Sequence, residues 1–417
     1  MNWSTVFVPR RTNFPIALLS RHPYGRNMSR PDVNMQLHPE DPPVIVATLG
    51  EVKLVSTYGW AVLVFTGLIM GGLWSWGSAA QWLLQAGLLW ILVIYEARGY
   101  LPLNRKGPEK VLYSRLGLAN RLTILRGWLI AFTGGFLFQQ SPPGVLALLP
   151  AGFYAVSAII DRIDGFAARK TGQVSQMGME LDTVFDALGL AIAPLLAVWY
   201  GKIHWSYLLV SCAYYLFQWG LGIRHKNALP LFALKPKLSR RAIAGFQMGF
   251  IAVVLFPVFQ PPATRIAGFA FMLPVLTGFL IDWLVVSGRI SEQSLINHNV
   301  LKRGEKLINF FIQPVLRLFL AGFLLTWSVR HTENIADNPL ILYGMIALGL
   351  LILLGVLGRS SALALVLLLG WYCSSHPISL IDDMILPVAV WILVLGTGHF
   401  SLWTWDDDWV NRYDGTE

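Results

Sequence analysis

Apolar runs of about 20 residues recur along the chain from residue 57 onward, separated by short polar breaks. A run of that length is enough for an α-helix to cross the hydrocarbon core of a bilayer. Of the 417 residues, 55% are hydrophobic and 13% are charged, whereas about a quarter of the residues in a soluble globular domain are charged. The pattern therefore predicts an all-α polytopic membrane protein.

We expect about 12 membrane-spanning helices, arranged in three zones behind a tail. Residues 1–56 are predicted to form a basic, partly disordered tail, residues 57–107 a transmembrane hairpin, residues 108–290 a core of six spans, and residues 291–417 a C-terminal extension. The predicted spans are 57–76, 81–97, 119–138, 144–168, 178–199, 204–223, 242–259, 266–287, 307–328, 339–357, 361–373 and 385–403.

The Lys and Arg residues of the connecting loops are concentrated on one side of the predicted bundle. Because cytoplasmic loops are enriched in Lys and Arg, we expect that side and both termini to lie in the cytoplasm. This distribution also accounts for the net charge of +9 without a nucleic-acid partner. The opposite loops hold little beyond Lys202, Arg265 and Arg330.

The segment DRIDGFAARKTGQVSQMGMELDTVFD, residues 161–186, places four aspartates between apolar runs. Asp161 and Asp164 are three residues apart and Asp182 and Asp186 are four apart, so each pair shares one face of a helix. Antiparallel packing of the two helices would bring all four carboxylates together at cytoplasmic depth. Because ionisable side chains inside membrane segments are costly, such a group indicates a functional site.

A group of carboxylates without His or Cys favours hard divalent cations such as Mg²⁺ or Mn²⁺. Two such ions can hold a diphosphate and stabilise a leaving oxygen. Gly165, Ala168 and Gly178 would let a charged ligand approach the backbone, and Arg169 offers a forked donor for a phosphate oxygen. The segment therefore predicts a metal-dependent site for a phosphorylated ligand.

The pattern D-x2-D-G-x2-A-R-x8-G-x3-D-x3-D resembles the signature of the CDP-alcohol phosphotransferase family, also called CDP-alcohol phosphatidyltransferases. The resemblance covers roughly residues 110–290, and it implies a six-helix core that transfers the phosphoryl-alcohol group of a CDP-linked donor to a second alcohol and releases CMP. It implies two divalent ions on Asp161, Asp164, Asp182 and Asp186, with Asp186 also acting as the base. It further implies that the CDP site is lined by Gly165, Ala168, Arg169 and Gly178.

Two further segments carry candidate binding residues. In NRLTILRG, the resemblance places Asn120 and Thr123 near the nucleotide; a polar helix entrance with an interfacial Arg126 is the alternative. In KPKLSRRAIAGFQ, Lys237, Arg240 and Arg241 are candidates for binding a phosphorylated acceptor, although the enrichment of cytoplasmic loops in cations explains them as well.

Asp282 and Arg317 are further charges at membrane depth, and we expect them to pair with each other across helices.

The residues and the resemblance together predict an enzyme with CDP-diacylglycerol as donor and a small polar acceptor, which we expect to be phosphorylated. An alternative is a donor of the CDP-choline or CDP-ethanolamine type with diacylglycerol as acceptor, which the extra C-terminal spans favour. Those enzymes carry His and Gly where this chain has Thr183 and Val184. A cation transporter is a third hypothesis, and it would not need Arg169.

The flanking regions lie outside the family pattern. Three roles stay open for them: shaping a path for lipid, fixing a homodimer or binding another partner.

Overall fold

A computed structural model of the chain describes residues 41–107, 111–232, 234, 238–290, 304, 306–331, 339–377 and 379–412. Within these ranges the regular structure is α-helical, apart from short 3₁₀ and π segments and an isolated bridge between Val356 and Trp403. The α-helices are α1 (Asp41–Leu73), α2 (Trp76–Gly99), α3 (Leu118–Gly134), α4 (Leu149–Lys170), α5 (Gln176–Trp199), α6 (Leu208–Lys226), α7 (Leu238–Leu255), α8 (Ala263–Val286), α9 (Gln313–His331), α10 (Pro339–Leu354), α11 (Gly358–Tyr372), α12 (Leu380–Leu395) and α13 (Trp405–Arg412).

The expected all-α membrane fold is confirmed. Among the described residues, six helical segments are long and apolar enough to cross a bilayer: α1, α2, α5, α8, the segment 144–170 that contains α4, and the segment 308–330 that contains most of α9. Each of the twelve predicted runs falls on one of the helices α1 to α12, and the total of about 12 spans stays a prediction. The short helix α13 was not predicted.

The first helix begins at Asp41, well before the expected start near residue 57. The polar residues Glu51 and Lys53 interrupt the apolar run and conceal the helix from a hydropathy pattern. In the structure Asp41 forms an ion pair with Arg105 at 3.0 Å, and both side chains are fully buried. Residues 41–56 are therefore helical, and residues 1–40 of the predicted tail lie outside the described residues.

The last predicted span, 385–403, is shorter in the structure because α12 ends at Leu395. Gly396 and Gly398 follow with φ of 93° and 84°, a left-handed conformation that ends a helix. Arg317, 5% exposed, donates to the backbone carbonyls of Thr397 and Phe400 beyond this end at 3.1 and 3.0 Å. The buried guanidinium of Arg317 thus provides hydrogen-bond donors for the backbone that follows the end of α12.

The expected pairing of Asp282 with Arg317 is wrong. Asp282 instead accepts from Arg240, with 2.7 Å between Nη2 and Oδ1, because α7 packs against α8. Arg317 satisfies carbonyl groups left free where helices end.

In the core, α3 packs against α2, α4 and α5, while α7 packs against α4. The N-terminal α1 packs on α2, and the C-terminal extension packs on the core through α12 and α8. Gly127 of α3 permits the close approach, since a Cβ atom there would lie 2.9 Å from Val93 Cγ1 and 3.0 Å from the Phe185 ring. Helix α3 is therefore the central element around which the aspartate-bearing helices are arranged.

Candidate active site

The four predicted aspartates lie on the two helices that flank the α4–α5 turn. Asp161 and Asp164 are in the C-terminal half of α4, and Asp182 and Asp186 are in the N-terminal half of α5. Gly172 follows α4 with φ of 67°, and Ser175 caps α5 by accepting from the amide of Gly178 at 3.0 Å. A left-handed glycine and a serine N-cap are typical helix boundaries, so local sequence determines this turn.

Helix α3 brings the two aspartate pairs together, since α4 and α5 both pack against it. This differs from the expected arrangement, a simple antiparallel pair of α4 and α5. The difference matters chemically because α3 contributes its own polar side chains to the space between the carboxylates.

Three of the four aspartates converge. One carboxylate oxygen from each of Asp161, Asp182 and Asp186 lies within 4.8 Å of the other two. Asp164 lies outside this group: it is 6% exposed, and its Oδ2 accepts a hydrogen bond of 3.0 Å from Thr123 Oγ1 on α3. The predicted clustering is therefore found for three carboxylates, and the fourth is held beside them by α3.

Arg126 occupies the centre of the group and is fully buried. Its Nη1 lies 2.7 Å from Asp161 Oδ1 and 2.6 Å from Asp182 Oδ1, and its Nη2 pairs with Asp186 Oδ1. The spacing of Arg126 from Asn120 and Thr123 places it on their face of α3, although the sequence offers it only as an interfacial charge in the alternative interpretation of this segment. One guanidinium thus neutralises part of the charge of three carboxylates.

Asn120 and Gly178 meet each other in the structure. The Asn120 Nδ2 donates to Asn104 Oδ1 at 2.9 Å and to the carbonyl of Leu116 at 2.8 Å, while its Oδ1 accepts from Ser175 Oγ at 2.9 Å. A Cβ on Gly178 would lie 2.8 Å from Asn120 Oδ1. Gly178 therefore leaves room for Asn120, and direct contact of either residue with a nucleotide stays a prediction.

Gly165, Ala168 and Arg169 lie together at the C-terminal end of α4. Arg169 is exposed and extends back along the helix, so that a Cβ on Gly165 would lie 3.5 Å from its Nη1. The guanidinium is thus close to the surface that Gly165 leaves open. Binding of CDP by these three residues stays a prediction.

Of the three cations proposed for the acceptor, Arg240 forms the ion pair with Asp282 described above. Lys237 lies outside the described residues, as does the side chain of Arg241. Arg162 of α4 reaches α7, where a Cβ on Gly245 would lie 2.5 Å from its Nη2. Arg162 and Arg240 thus lie on two helices, α4 and α7, that pack against each other. The assignment of Lys237, Arg240 and Arg241 to the binding of an acceptor stays a prediction.

The side chains that converge at this site are of the kind that binds a hard divalent cation. All three converging side chains are carboxylates, which suit Mg²⁺ and Mn²⁺, and the position of the Arg126 guanidinium indicates that this space attracts positive charge. Asp182 and Asp186 have side chains 47% and 44% exposed, so the group is open on one side. That side is where an ion or a phosphate group would reach the carboxylates.

Comparison with known proteins gives a consistent result for the central part of the chain. Residues 116–284 match the family model described as CDP-alcohol phosphatidyltransferase. No solved structure gives a significant match.

Two curated proteins share short regions of similarity with the chain. One is the CDP-diacylglycerol–serine O-phosphatidyltransferase of Methanocaldococcus jannaschii, 45% identical over 53 residues, which are 12% of this chain and 26% of that protein. The other is the CDP-diacylglycerol–serine O-phosphatidyltransferase of Mycobacterium leprae, 34% identical over 64 residues, or 15% of this chain and 20% of that protein. The chain thus aligns with about a quarter or less of the length of these relatives.

Proposed function

We propose that the protein transfers a phosphatidyl group from CDP-diacylglycerol to the hydroxyl group of a small polar acceptor, with release of CMP. The match of residues 116–284 to the CDP-alcohol phosphatidyltransferase family model supports this proposal. The observation that carries the proposal is the convergence of Asp161, Asp182 and Asp186 within 4.8 Å. These residues belong to the signature of the family, and their grouping supplies the negative charge that a metal–diphosphate complex needs.

Asp161, Asp164, Asp182 and Asp186 would hold two divalent ions. When bound, such ions neutralise the charge of the diphosphate and stabilise the departing CMP. Arg169 would donate to a phosphate oxygen of the donor, and Gly165 would let the nucleotide approach the backbone of α4.

The acceptor oxygen forms a bond to the phosphorus that carries diacylglycerol, and the bond between that phosphorus and the CMP oxygen breaks. CMP takes the electron pair of the broken bond. The proton of the acceptor hydroxyl passes to the carboxylate of Asp186, whose side chain is 44% exposed and therefore within reach of an acceptor. Enclosure of the reacting groups would keep water from competing as acceptor.

The identity of the acceptor can be narrowed to two chemical classes. Both relatives carry serine in their names, and Arg240, one of the cations assigned to an acceptor phosphate, is paired with Asp282. These two observations favour serine, while the basic loop before α7 favours a phosphorylated alcohol. We therefore propose serine first and a phosphorylated alcohol second.

An activity assay separates these hypotheses. The full-length protein in detergent micelles would receive CDP-diacylglycerol, Mn²⁺ or Mg²⁺ and one acceptor at a time: serine, glycerol 3-phosphate or inositol 1-phosphate. We expect CMP release with one acceptor and none without acceptor, and the Asp186→Asn variant controls for contaminating activity. A second arm uses CDP-choline with diacylglycerol. CMP release in that arm alone would refute the phosphatidyl transfer proposed here. No CMP release in any arm would refute the proposal that the protein is a transferase of this kind.

We also propose that the site and both termini face the cytoplasm. Lys202, one of few cations in the opposite loops, is 7% exposed, and its Nζ donates to the carbonyl of Phe259 at 2.5 Å. Burial lowers the pKa of Lys202 to about 8, so the side chain is still mostly protonated at neutral pH and counts as a cation of its face. The proposed orientation therefore rests on the larger number of Lys and Arg residues in the loops of the other side.

The orientation can be tested with a single cysteine at Val174, in the exposed α4–α5 turn, after replacement of Cys212 and Cys373. A membrane-impermeant maleimide should label it in inside-out vesicles and not in intact cells. Labelling of intact cells would reverse the orientation.

A further inference from the structure

We propose that Asn104, in the connection between α2 and α3, is a positioning residue for the metal site. The inference rests on the proposed function, because it concerns the placement of Asp182 and Asp186. Asn104 precedes the region that matches the family model, residues 116–284. The N-terminal part of the chain therefore participates in the site and does more than anchor the core in the membrane.

The first turn of α5 depends on two groups outside the helix. The amides at the start of an α-helix have no partner within it, so their partners fix where the helix begins. Ser175 Oγ accepts from the amide of Gly178 at 3.0 Å, and the carbonyl of Arg105 accepts from the amide of Gln176 at 2.9 Å. One of these groups is the local N-cap, and the other comes from the α2–α3 connection.

Asn104 reaches the same helix start through its side chain. Its Oδ1 accepts from Asn120 Nδ2 at 2.9 Å, and Asn120 Oδ1 accepts from Ser175 Oγ at 2.9 Å. The hydroxyl of Ser175 uses its proton in that bond and keeps its lone pairs for the amide of Gly178. Asn104, Asn120 and Ser175 are between 1% and 4% exposed. Because buried polar groups are costly when unpaired, this series of hydrogen bonds fixes the orientation of the side-chain amides of Asn104 and Asn120.

The α2–α3 connection is itself held firmly. Asn104 Nδ2 donates to the carbonyl of Arg115 at 2.9 Å, which closes the connection on itself. Arg105 is fully buried, and its guanidinium contacts Asp41 of α1 and the carbonyl of Pro102 at 3.0 Å each. The connection thus joins α1 to the α4–α5 turn, where Tyr113 also donates to the carbonyl of Val174 at 3.3 Å.

The consequence for the site follows from helix geometry. Asp182 is one turn beyond Gly178 and Asp186 one turn further, so both carboxylates move with the first turn of α5. Asp161 belongs to α4 and does not move with them. A shift at the start of α5 would therefore change the distances among the three ligands, to which Mg²⁺-type sites are sensitive.

The test compares Asn104→Ala with Gln139→Ala in the full-length protein. Gln139 is 6% exposed and donates to the carbonyl of Gly135 at 2.8 Å, beyond the other end of α3, so its loss removes a buried amide far along the chain from the site. We would measure Mn²⁺ affinity by titration, thermal stability in EDTA, and hydrogen exchange of the peptide covering residues 173–182. Ser175→Ala serves as a second variant should Asn104→Ala fail to fold.

Loss of a group that orients metal ligands typically weakens metal binding about 10-fold or more. In Asn104→Ala we expect Mn²⁺ affinity to fall by that amount and hydrogen exchange of residues 173–182 to become faster. In Gln139→Ala we expect a similar loss of thermal stability, but unchanged Mn²⁺ affinity and unchanged exchange in that peptide. Wild-type affinity and exchange in both Asn104→Ala and Ser175→Ala would overturn the proposal. If the wild-type protein itself binds no Mn²⁺, the proposed metal site fails, and hydrogen exchange alone still decides whether Asn104 positions α5.

Discussion

Arg126 Nη1 lies 2.6 Å from Asp182 Oδ1, with the guanidinium in the space that a divalent ion on the same carboxylates would use. A divalent ion bound there would therefore compete with Arg126 for Asp161, Asp182 and Asp186. In the absence of metal, Arg126 keeps three acidic groups from repelling one another.

We expect Arg126→Met to destabilise the protein in EDTA by roughly 2–3 kcal/mol, slightly less than for a fully buried pair because the carboxylates are partly exposed. Mn²⁺ should then stabilise the variant more than the wild type, since the ion meets no competing guanidinium. Thermal unfolding in EDTA and in Mn²⁺ measures both effects. Arg121→Met is the control: Arg121 pairs with Glu51 at 2.8 Å but is 53% exposed, so its loss should cost less than about 1 kcal/mol. Equal behaviour of the two variants would contradict this role.

Asp186→Asn should lower kcat for CMP release by about 10²–10⁴-fold, the range typical of a lost general base. The amide keeps the shape of the side chain but cannot take the proton of the acceptor hydroxyl. Asp383→Asn, in the first turn of α12, is the control and should retain wild-type turnover. More than a tenth of wild-type kcat in Asp186→Asn would mean that another group accepts the proton.

Gly178→Ala should damage the site through Asn120. The new Cβ would lie 2.8 Å from Asn120 Oδ1 and 3.2 Å from Ser175 Oγ, closer than non-bonded atoms normally approach. We expect weaker Mn²⁺ binding and a lower unfolding temperature. Gly152→Ala in α4 meets open space and should be stabilising by about 0.5–1 kcal/mol through helix propensity. An unchanged Mn²⁺ affinity in Gly178→Ala would contradict the close packing of α5 on Asn120.

Gly165→Ala makes a different prediction. Its Cβ would meet only the flexible end of Arg169, at an ordinary 3.5 Å, so folding should tolerate the change. If the nucleotide lies over Gly165, the methyl group should raise KM for CDP-diacylglycerol about 10-fold, a loss of about 1.4 kcal/mol, with wild-type thermal stability. Steady-state kinetics with the donor varied tests this, and an unchanged KM would remove Gly165 from the donor site.

Much of the fold was predictable because it depends on local pattern. Apolar length located helices α1 to α12, and the spacing within each aspartate pair placed Asp161 with Asp164, and Asp182 with Asp186, on one helix face. These features need only helix periodicity and the cost of burying charge.

The unpredicted features depend on which helices are neighbours. Arg126 enters the carboxylate group because α3 packs against both α4 and α5, and Asp282 pairs with Arg240 because α7 lies beside α8. The early start of α1 at Asp41 likewise depends on Arg105, a partner 64 residues away. Hydropathy and spacing along one segment contain no information about such partners.

The ion pair of Asp41 and Arg105 yields the last prediction. Both side chains are fully buried, so Asp41→Asn leaves the Arg105 guanidinium with one charged partner fewer and should cost about 3–5 kcal/mol. Glu51→Gln, on the same helix, removes the partner of the exposed Arg121 and should cost less than about 1 kcal/mol. Thermal unfolding of both variants in EDTA gives the comparison. The double variant Asp41→Leu/Arg105→Met should recover much of the loss, because apolar residues can replace a buried ion pair. A double variant no more stable than Asp41→Asn would mean that the carbonyl contact of Arg105 with Pro102, rather than the ion pair, anchors the α2–α3 connection.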